Sequence, residues 1–556
     1  MKAVICSLNA KYVHSSLAPW CLLAAVRRDC REAVDLSVVE GTVNQPPEEI
    51  LAAVAAESPD VVGFCCYIWN ISVVKKLVFL LAGALPGVVI VLGGPEVSFC
   101  PEETLKALPP VGYILRGEGE GSFPRFLDFL ASGKPAQAVP GLCFRLGGGI
   151  VCSPEASPEA EPPSPYCPEY VSRLKGRIAY LETSRGCPFS CAFCLSGHTP
   201  GVRFYNLERA KREMLLLANS GAETVKLVDR TFNCNPDRAF ALFEFLIRSA
   251  GDAIPAGVCF HFEVGADLFD EKTLRLLASA PPGLIRIEAG IQSFSEAALA
   301  AVNRKTDAEK LYGNLRSLIA PRNIHVHVDL IAGLPYEGFE SFGRTFDRAF
   351  SLRPDMLQVG FLKLLHGSRL RSEAPRLGLA WSPDPPYEIL SGPCLSSGEL
   401  TRLHMLEDAV ERLYNSGRFR DTLEYFLKVS QMRPFELFLA LGEAAGDTTG
   451  ISLDKYTEKI LKIGSALTGA DPLLLRDHLV CDRLASGRDG RLPVCLQVPD
   501  LRLKHLRGEY FRQHPEERGR AGLAILYGGG EKLAAADYRA ADPITGRYPL
   551  RIVKPL

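Results

Sequence analysis

A chain of 556 residues exceeds what one hydrophobic core supports and implies three or four domains. Its 47% hydrophobic and 23% charged content is that of soluble globular protein, and a formal net charge of −1 gives no global field toward nucleic acid or an anionic membrane. Neither is indicated as a partner.

The start, Met1-Lys-Ala-Val-Ile-Cys-Ser-Leu, lacks the long apolar core of a signal peptide. The apolar run from Val73 to Val91 is broken by Lys75, Lys76, Pro86 and Gly87, so no membrane span is expected. Seventeen cysteines, an odd number without a regular framework, fit reduced thiols in the cytoplasm.

Strands are expected at Ala3–Ser7, Val34–Val39, Val61–Cys66, Val88–Leu92 and Tyr113–Arg116, with helices at Leu17–Arg28, Pro47–Ala56 and Val73–Ala84 between them. Such alternation builds a parallel sheet covered on both faces, with its ligand crevice at the carboxyl ends of the strands. The loops at those ends read Ser7-Leu-Asn-Ala-Lys-Tyr-Val-His, Cys65-Cys-Tyr-Ile-Trp-Asn, Gly93-Gly-Pro-Glu-Val-Ser and Arg116-Gly-Glu-Gly-Glu-Gly. Glycines there let a large ligand approach the backbone, and Tyr67 and Trp69 add flat apolar surface. Over residues 1–140 this pattern resembles a Rossmann-like cobalamin-binding domain. The resemblance assigns Asn9, Tyr67, Trp69, Gly93, Gly94, Glu118 and Gly119 to cobalamin.

Residues 141–172 form a boundary. Gly141 to Cys152 reads as a hairpin, and six prolines from Pro154 to Pro168 make a stiff linker. A second β/α repeat, residues 173–370, follows. Its strands are expected at Ile178–Thr183, Thr224–Val228, Cys259–Val264, Leu284–Ala289, Val326–Ile331 and Met356–Leu362, enough for a partial (β/α)6 barrel whose active edge is at the strands' carboxyl ends.

The loop after the first of these strands carries Cys187, Cys191 and Cys194, spaced C-x3-C-x2-C. Three close thiolates hold three irons of a [4Fe–4S] cluster and leave the fourth open. With His198 four residues beyond, the same run also matches a Cys3His zinc site, and the strand-end placement favours the cluster. This arrangement resembles the radical S-adenosylmethionine (SAM) superfamily, whose open iron binds SAM.

Later strand ends carry Asp229-Arg-Thr-Phe-Asn233, Glu263, Gly290-Ile-Gln-Ser-Phe294, Asn303-Arg304 and Asp329-Leu-Ile-Ala-Gly-Leu-Pro335. These resemble the oxygen-independent coproporphyrinogen oxidase branch. That resemblance assigns Phe193, Asp229, Glu263, Gln292, Arg304 and Asp329 to SAM. His366, in the loop after the sixth strand, is a weak candidate acid or base. No histidine has aspartate two residues before it, so the Asp-x-His-x-x-Gly motif that supplies a cobalt ligand in other B12 proteins is absent. Members of the radical SAM subfamily commonly lack it, and His14 reads as a loop residue.

Residues 371–556 are mainly helical, with expected helices at Glu399–Asn415, Asp421–Val429, Phe435–Leu441, Leu453–Leu467 and Leu473–Ala485, and short strands around Gly528-Gly-Gly530. They resemble an uncharacterised C-terminal extension of some cobalamin-dependent radical SAM proteins. The resemblances together imply methyl transfer to an unactivated carbon through a 5′-deoxyadenosyl radical, with an electron donor such as flavodoxin or ferredoxin as partner. The alternatives are a B12-associated radical cyclase, oxidase or rearrangement catalyst, and a cobalamin- or zinc-binding sensor or scaffold.

Overall fold

The computed structural model describes residues 1–133, 135–198, 201–488 and 490–553. The chain divides into two compact units. The first comprises Met1–Leu268, Val302–Lys305 and Lys363–Leu390, and the second Phe269–Ala301, Thr306–Leu362 and Ser391–Leu556.

The first unit opens with strands β1 (Lys2–Asn9), β2 (Asp35–Thr42), β3 (Val61–Cys65), β4 (Val89–Gly93) and β5 (Tyr113–Leu115), followed by the hairpin β6 (Leu142–Leu146) and β7 (Gly149–Cys152). Their order in the sheet is β2-β1-β3-β4-β5-β6-β7, parallel through β5 and antiparallel after it. Every residue of β1 after Lys2 is buried, because helices cover both faces of the sheet. Val4, Cys6 and Leu8 point into a core shared with Ile50, Val54, Val74 and Leu77. Ala3 and Ile5, one residue out of phase, join Val26, Phe123, Phe126 and Leu127 on the other face. Sequence order reverses between β1 and β3, and that switch point opens a crevice at the carboxyl edge.

Two features of residues 141–172 differ from the sequence reading. Cys143 and Cys152 stand opposite each other across the β6–β7 hairpin and form a disulfide, with their Cα atoms 4.1 Å apart. Counting cysteines without strand register could not pair them. The proline-rich linker is also tied down by ion pairs along its length. Glu155 pairs with Arg116 at 2.7 Å, Glu159 with Arg28 at 2.8 Å and Glu161 with Arg209 at 2.9 Å, while Pro162 and Pro165 are buried.

The barrel strands of the first unit are β8 (Ile178–Leu181), β11 (Thr224–Leu227) and β12 (Cys259–Val264), parallel and adjacent in chain order. Between β8 and β11 a short antiparallel ribbon, β9 (Ser184–Gly186) with β10 (Val202–Phe204), spans the cysteine loop. The second unit holds three more parallel strands, β13 (Ile285–Gln292), β14 (His325–Ala332) and β15 (Met356–Phe361). Strand β13 runs on to Gln292, three residues past its expected end, through a register shift between Gly290 and Gln292. Helix starts in the barrel are set by Asn206, Asn235, Asp270 and Asp307, whose side chains accept from backbone N–H groups of the first turn.

Also in the second unit, Phe346 and Phe350 of helix Phe339–Ser351 pack edge-on against Phe438 of helix Pro434–Ala445, with Phe339 and Phe346 against Phe435. The C-terminal helices thus share a core with the barrel helix instead of forming an isolated lobe. Further helices span Arg420–Ser430, Leu453–Ser465, Pro472–Ser486 and Arg502–Gln513, and strands Ala521–Leu526, Lys532–Asp537 and Leu550–Val553 form an antiparallel sheet. No helix among the described residues is long and apolar enough to cross a membrane.

Candidate functional site

A cavity of about 690 Å3 lies at the carboxyl edge of the first sheet. That volume suits a bulky organic ligand. Its wall is built from the loops after β1, β3, β4 and β5, including Asn9, Tyr67, Trp69, Gly93, Gly94, Glu118 and Gly119, with Ile5, Phe64, Leu115 and Phe123 supplying apolar surface. The Tyr67 and Trp69 rings stack 4.3 Å apart and 6° from parallel, and Trp69 Nε1 donates to the Leu8 carbonyl at 3.2 Å. Asn70 fixes this loop: its Nδ2 donates to the Cys65 carbonyl and its Oδ1 accepts from Tyr67 N. Gly94 has φ of 109°, and a Cβ there would lie 2.6 Å from the Cys66 carbonyl oxygen, so only glycine closes this turn.

Polar roles in this wall are partly internal. Asn9 Oδ1 accepts from Ser16 Oγ at 2.6 Å. Glu118 is bound by Arg185 at 2.9 Å and also by Arg203. Sequence reasoning missed the opposite wall, where Tyr180, Glu182, Ser184 and Arg185 at the end of β8 line the same cavity. Arg185 binds three carboxylates together: Glu118, Glu120 at 2.8 Å and Glu182 at 2.7 Å. Burial alone would raise the Glu120 carboxyl, yet Arg185 holds it below its ordinary range. His14 lines the cavity too; its Nδ1 meets the Tyr180 hydroxyl at 2.8 Å, and burial lowers its pKa.

The cysteine loop is anchored from several directions in the same unit. Ala192 N donates to the Val302 carbonyl, and Leu370 N donates to the Ala192 carbonyl, both at 2.8 Å. Asn303 Nδ2 donates to the Ser190 carbonyl at 3.1 Å and meets Ser190 Oγ at 2.7 Å. Cys187, Cys191 and Cys194 are half-buried free thiols. Burial raises the Cys191 thiol, an effect opposed by Arg304, whose Nη1 lies 3.9 Å from Cys191 Sγ. Phe193 is half-buried within this loop. The donor set of three thiolates beside a guanidinium fits an anionic iron–sulfur cluster, and His198 Nε2 contacts the Gly367 carbonyl.

The remaining strand-end residues divide by unit. Asp229 is buried with both oxygens engaged: Oδ2 accepts from Thr183 N at 2.9 Å, and Oδ1 accepts from Thr183 Oγ1 at 2.7 Å and from Ser184 Oγ. Burial pushes its pKa up to about 6 despite these bonds. The geometry therefore gives Asp229 the task of fixing the end of β8, where the resemblance pointed it toward SAM. Glu263, at the end of β12, pairs with Lys226 at 3.4 Å. In the second unit, Gln292 has φ of 68°, and its buried Oε1 has no hydrogen-bond partner among the described residues. A strained residue with an unsatisfied buried oxygen fits a ligand contact. Asp329 Oδ1 lies 2.9 Å from His327 Nε2, whose ring also faces Glu288 at 3.9 Å.

His366 belongs to the first unit. It shares a second cavity of about 630 Å3 with Cys191, Cys194, Cys100, Glu103 and Arg371. Its ring meets Tyr387 edge-on at 4.9 Å, and burial followed by Arg371 lowers its pKa.

Comparison with known proteins matches three stretches of the chain. Residues 4–127 match the B12 binding domain, residues 181–349 the radical SAM superfamily, and residues 376–517 a protein family of unknown function, DUF4080. The chain is 31% identical over 304 residues to the cobalamin-dependent radical SAM methyltransferase TokK of Streptomyces tokunonensis, covering 51% of this chain and 44% of that one. It is 24% identical over 379 residues to the uncharacterised methyltransferase PH0819 of Pyrococcus horikoshii, covering 65% and 79% respectively. This chain thus spans less than half the length of TokK. Among solved structures, the cobalamin-dependent SAM radical enzyme OxsB with aqua-cobalamin and SAM bound superposes with a TM-score of 0.59 at 14% identity, over 92% of this chain and 75% of that one. The radical SAM methyltransferase TsrM of Kitasatospora setae gives 0.56 at 19% identity, over 69% and 80%.

Proposed function

Because the chain joins a B12-binding domain to a radical SAM domain, we propose that it is a cobalamin-dependent radical SAM methyltransferase acting on an unactivated carbon. The observation that carries this reading lies within the first unit: the cavity on the carboxyl edge of the first sheet is walled on its other side by Ser184, Arg185 and Gly186, immediately before Cys187. One short segment therefore serves both a bulky-ligand cavity and an iron site. When bound, the cluster and SAM supply one-electron chemistry and a carbon radical, and cobalamin supplies a transferable methyl group.

The residues have distinct tasks. Cys187, Cys191 and Cys194 hold the cluster, and Asp229 fixes the strand end from which their loop departs. Arg304, beside Cys191, pairs with the carboxylate of SAM, while Glu263, Gln292 and Asp329 take its ammonium and ribose groups and the Phe193 backbone reads adenine. Asn9, Tyr67, Trp69, Gly93, Gly94, Glu118 and Gly119 receive the corrin, with apolar surface excluding water from its face. A reduced flavodoxin or ferredoxin supplies electrons. Anaerobic turnover of reconstituted protein with SAM, cobalamin and reductant tests the whole reading; absence of both 5′-deoxyadenosine and any methylated product across a broad substrate screen would overturn it.

Two predictions arise here. Arg304→Ala and Asp329→Ala should each weaken SAM binding by about 1.5–3 kcal/mol, roughly tenfold to hundredfold, through loss of one charge-assisted contact. Iron content should be retained in both. Equilibrium SAM binding with parallel iron analysis decides it, and wild-type affinity in both variants rejects the assigned register.

His14→Ala should leave the spectrum of bound cobalamin unchanged. The ring is already engaged with Tyr180, and the Asp-x-His-x-x-Gly motif is missing. Nitrogen hyperfine coupling in cob(II)alamin electron spin resonance that vanishes in this variant would show His14 to be a cobalt ligand.

A further inference from the structure

The second cavity of the first unit holds a group of side chains that the proposed reaction leaves unused. Cys100 precedes helix Pro101–Ala107, Glu103 lies in its first turn, and His366 comes from the loop after β15. One ligand atom from each, a sulfur, a carboxylate oxygen and a ring nitrogen, all fall within 4.8 Å of one another. All three line the cavity that Cys191 and Cys194 also line.

The packing brings these segments together for a definite reason. Gly367 has φ of 84°, and the Phe99 ring occupies the space where its Cβ would stand. The loop carrying His366 therefore sits flush against the residue preceding Cys100. Behind the ligands, the Tyr387 hydroxyl bonds to buried Glu96 and presents its ring edge-on to His366. Cys100 Sγ contacts the Glu96 carbonyl at 3.3 Å, so Glu96 supports both sides of the group. Such backing orients ligands before a metal arrives.

We propose that Cys100, Glu103 and His366 bind one Zn2+ ion, with its fourth coordination position open to the cavity shared with Cys191 and Cys194. The donor set is decisive for the metal. Sulfur with imidazole selects zinc over magnesium or calcium, and three protein ligands with one open position is the arrangement of reactive rather than structural zinc. Tetrahedral zinc places its donor atoms about 3.3–3.7 Å apart, so small side-chain movements from the present spread of at most 4.8 Å close the site. Charge agrees as well. A thiolate and a carboxylate with a neutral imidazole carry two negative charges, which a divalent cation cancels. Arg371 lines the same cavity and its charge reaches Cys100 and His366, but its hydrogen bond goes to the Leu364 carbonyl and its guanidinium lies over the Trp381 and Tyr387 rings. Binding releases the Cys100 thiol proton to solvent and oxidises nothing.

The test uses the full-length chain with Cys187, Cys191 and Cys194 replaced by alanine, so that neither iron nor zinc occupies the cluster loop. After metal removal and addition of zinc alone, one equivalent should survive dialysis, and Co2+ in its place should show a thiolate charge-transfer band. Cys100→Ser should abolish that band, and His366→Ala should weaken zinc binding by roughly tenfold or more. Adding 2-mercaptoethanol should perturb the Co2+ spectrum by entering the open position. Retained cobalamin binding serves as the folding control, and the cluster-loaded wild-type chain should contain one zinc beside its iron. Failure to retain zinc, or a cobalt band indifferent to Cys100→Ser, overturns the site. A spectrum unmoved by the thiol overturns its open position.

Discussion

Replacing Cys187, Cys191 and Cys194 together by alanine should abolish SAM cleavage and brown iron absorbance while leaving cobalamin bound. The effect is all-or-none because three of the cluster's irons lose their thiolates at once, and radical formation has no route around the cluster. Cobalamin should persist because the cavity proposed for it is walled by segments that precede Cys187, except for a few later residues such as Ser196, and rests on the core of the first sheet. The measurement pairs iron and sulfide analysis with 5′-deoxyadenosine formation and cobalamin absorbance on one preparation. A triple variant that keeps its iron and cleaves SAM would refute the ligand assignment.

Arg185→Met should be the most destabilising single change near the site, with cobalamin affinity falling alongside stability. The Arg185 side chain is 20% exposed, and Glu118, Glu120 and Glu182 around it are 27%, 8% and 17% exposed. Removing the cation leaves carboxylates at low exposure facing one another, and breaking a buried pair this way costs about 3–5 kcal/mol. Arg203 still binds Glu118, and Tyr205 still donates to Glu182 at 2.9 Å, so Glu120 is the group left worst off. Adding Glu120→Gln to Arg185→Met should therefore recover part of the loss. Urea unfolding of both variants, read with cobalamin binding, checks the argument. An Arg185→Met protein that unfolds at the wild-type midpoint would mean the charge cluster does not hold this edge together.

Much of the architecture was legible because its signals are local. Apolar runs in β1, β3 and β4 mark a sheet buried on both faces, and the same alternation recurs after the proline-rich segment. The cysteine spacing lies within eight residues, so no tertiary knowledge is needed to propose iron. Glycine and aromatic residues in the strand-end loops pointed to the cavity they now line. The C-terminal helices were placed closely because their apolar faces repeat at helical spacing.

What escaped the reading depends on distant partners. Arg185 meets Glu118 across 67 positions, and Thr183 meets Asp229 across 46. A carboxylate at a strand end looks the same in sequence whether it faces a ligand or caps a neighbouring strand, and only the hydrogen bonds of Asp229 show the second. The disulfide depends on hairpin register, which sets whether Cys143 and Cys152 face each other.

The sequence by itself determined the fold class, the cysteine triad and the loops that open on the first cavity, since periodicity and short spacing are properties of adjacent residues. Tertiary structure alone decided which charges neutralise one another, which thiols pair, and that Cys100 and Glu103 meet His366. Those choices follow from burial. In water a polar or charged group is satisfied by solvent, and where folding removes that solvent the identity of its partner sets its energy.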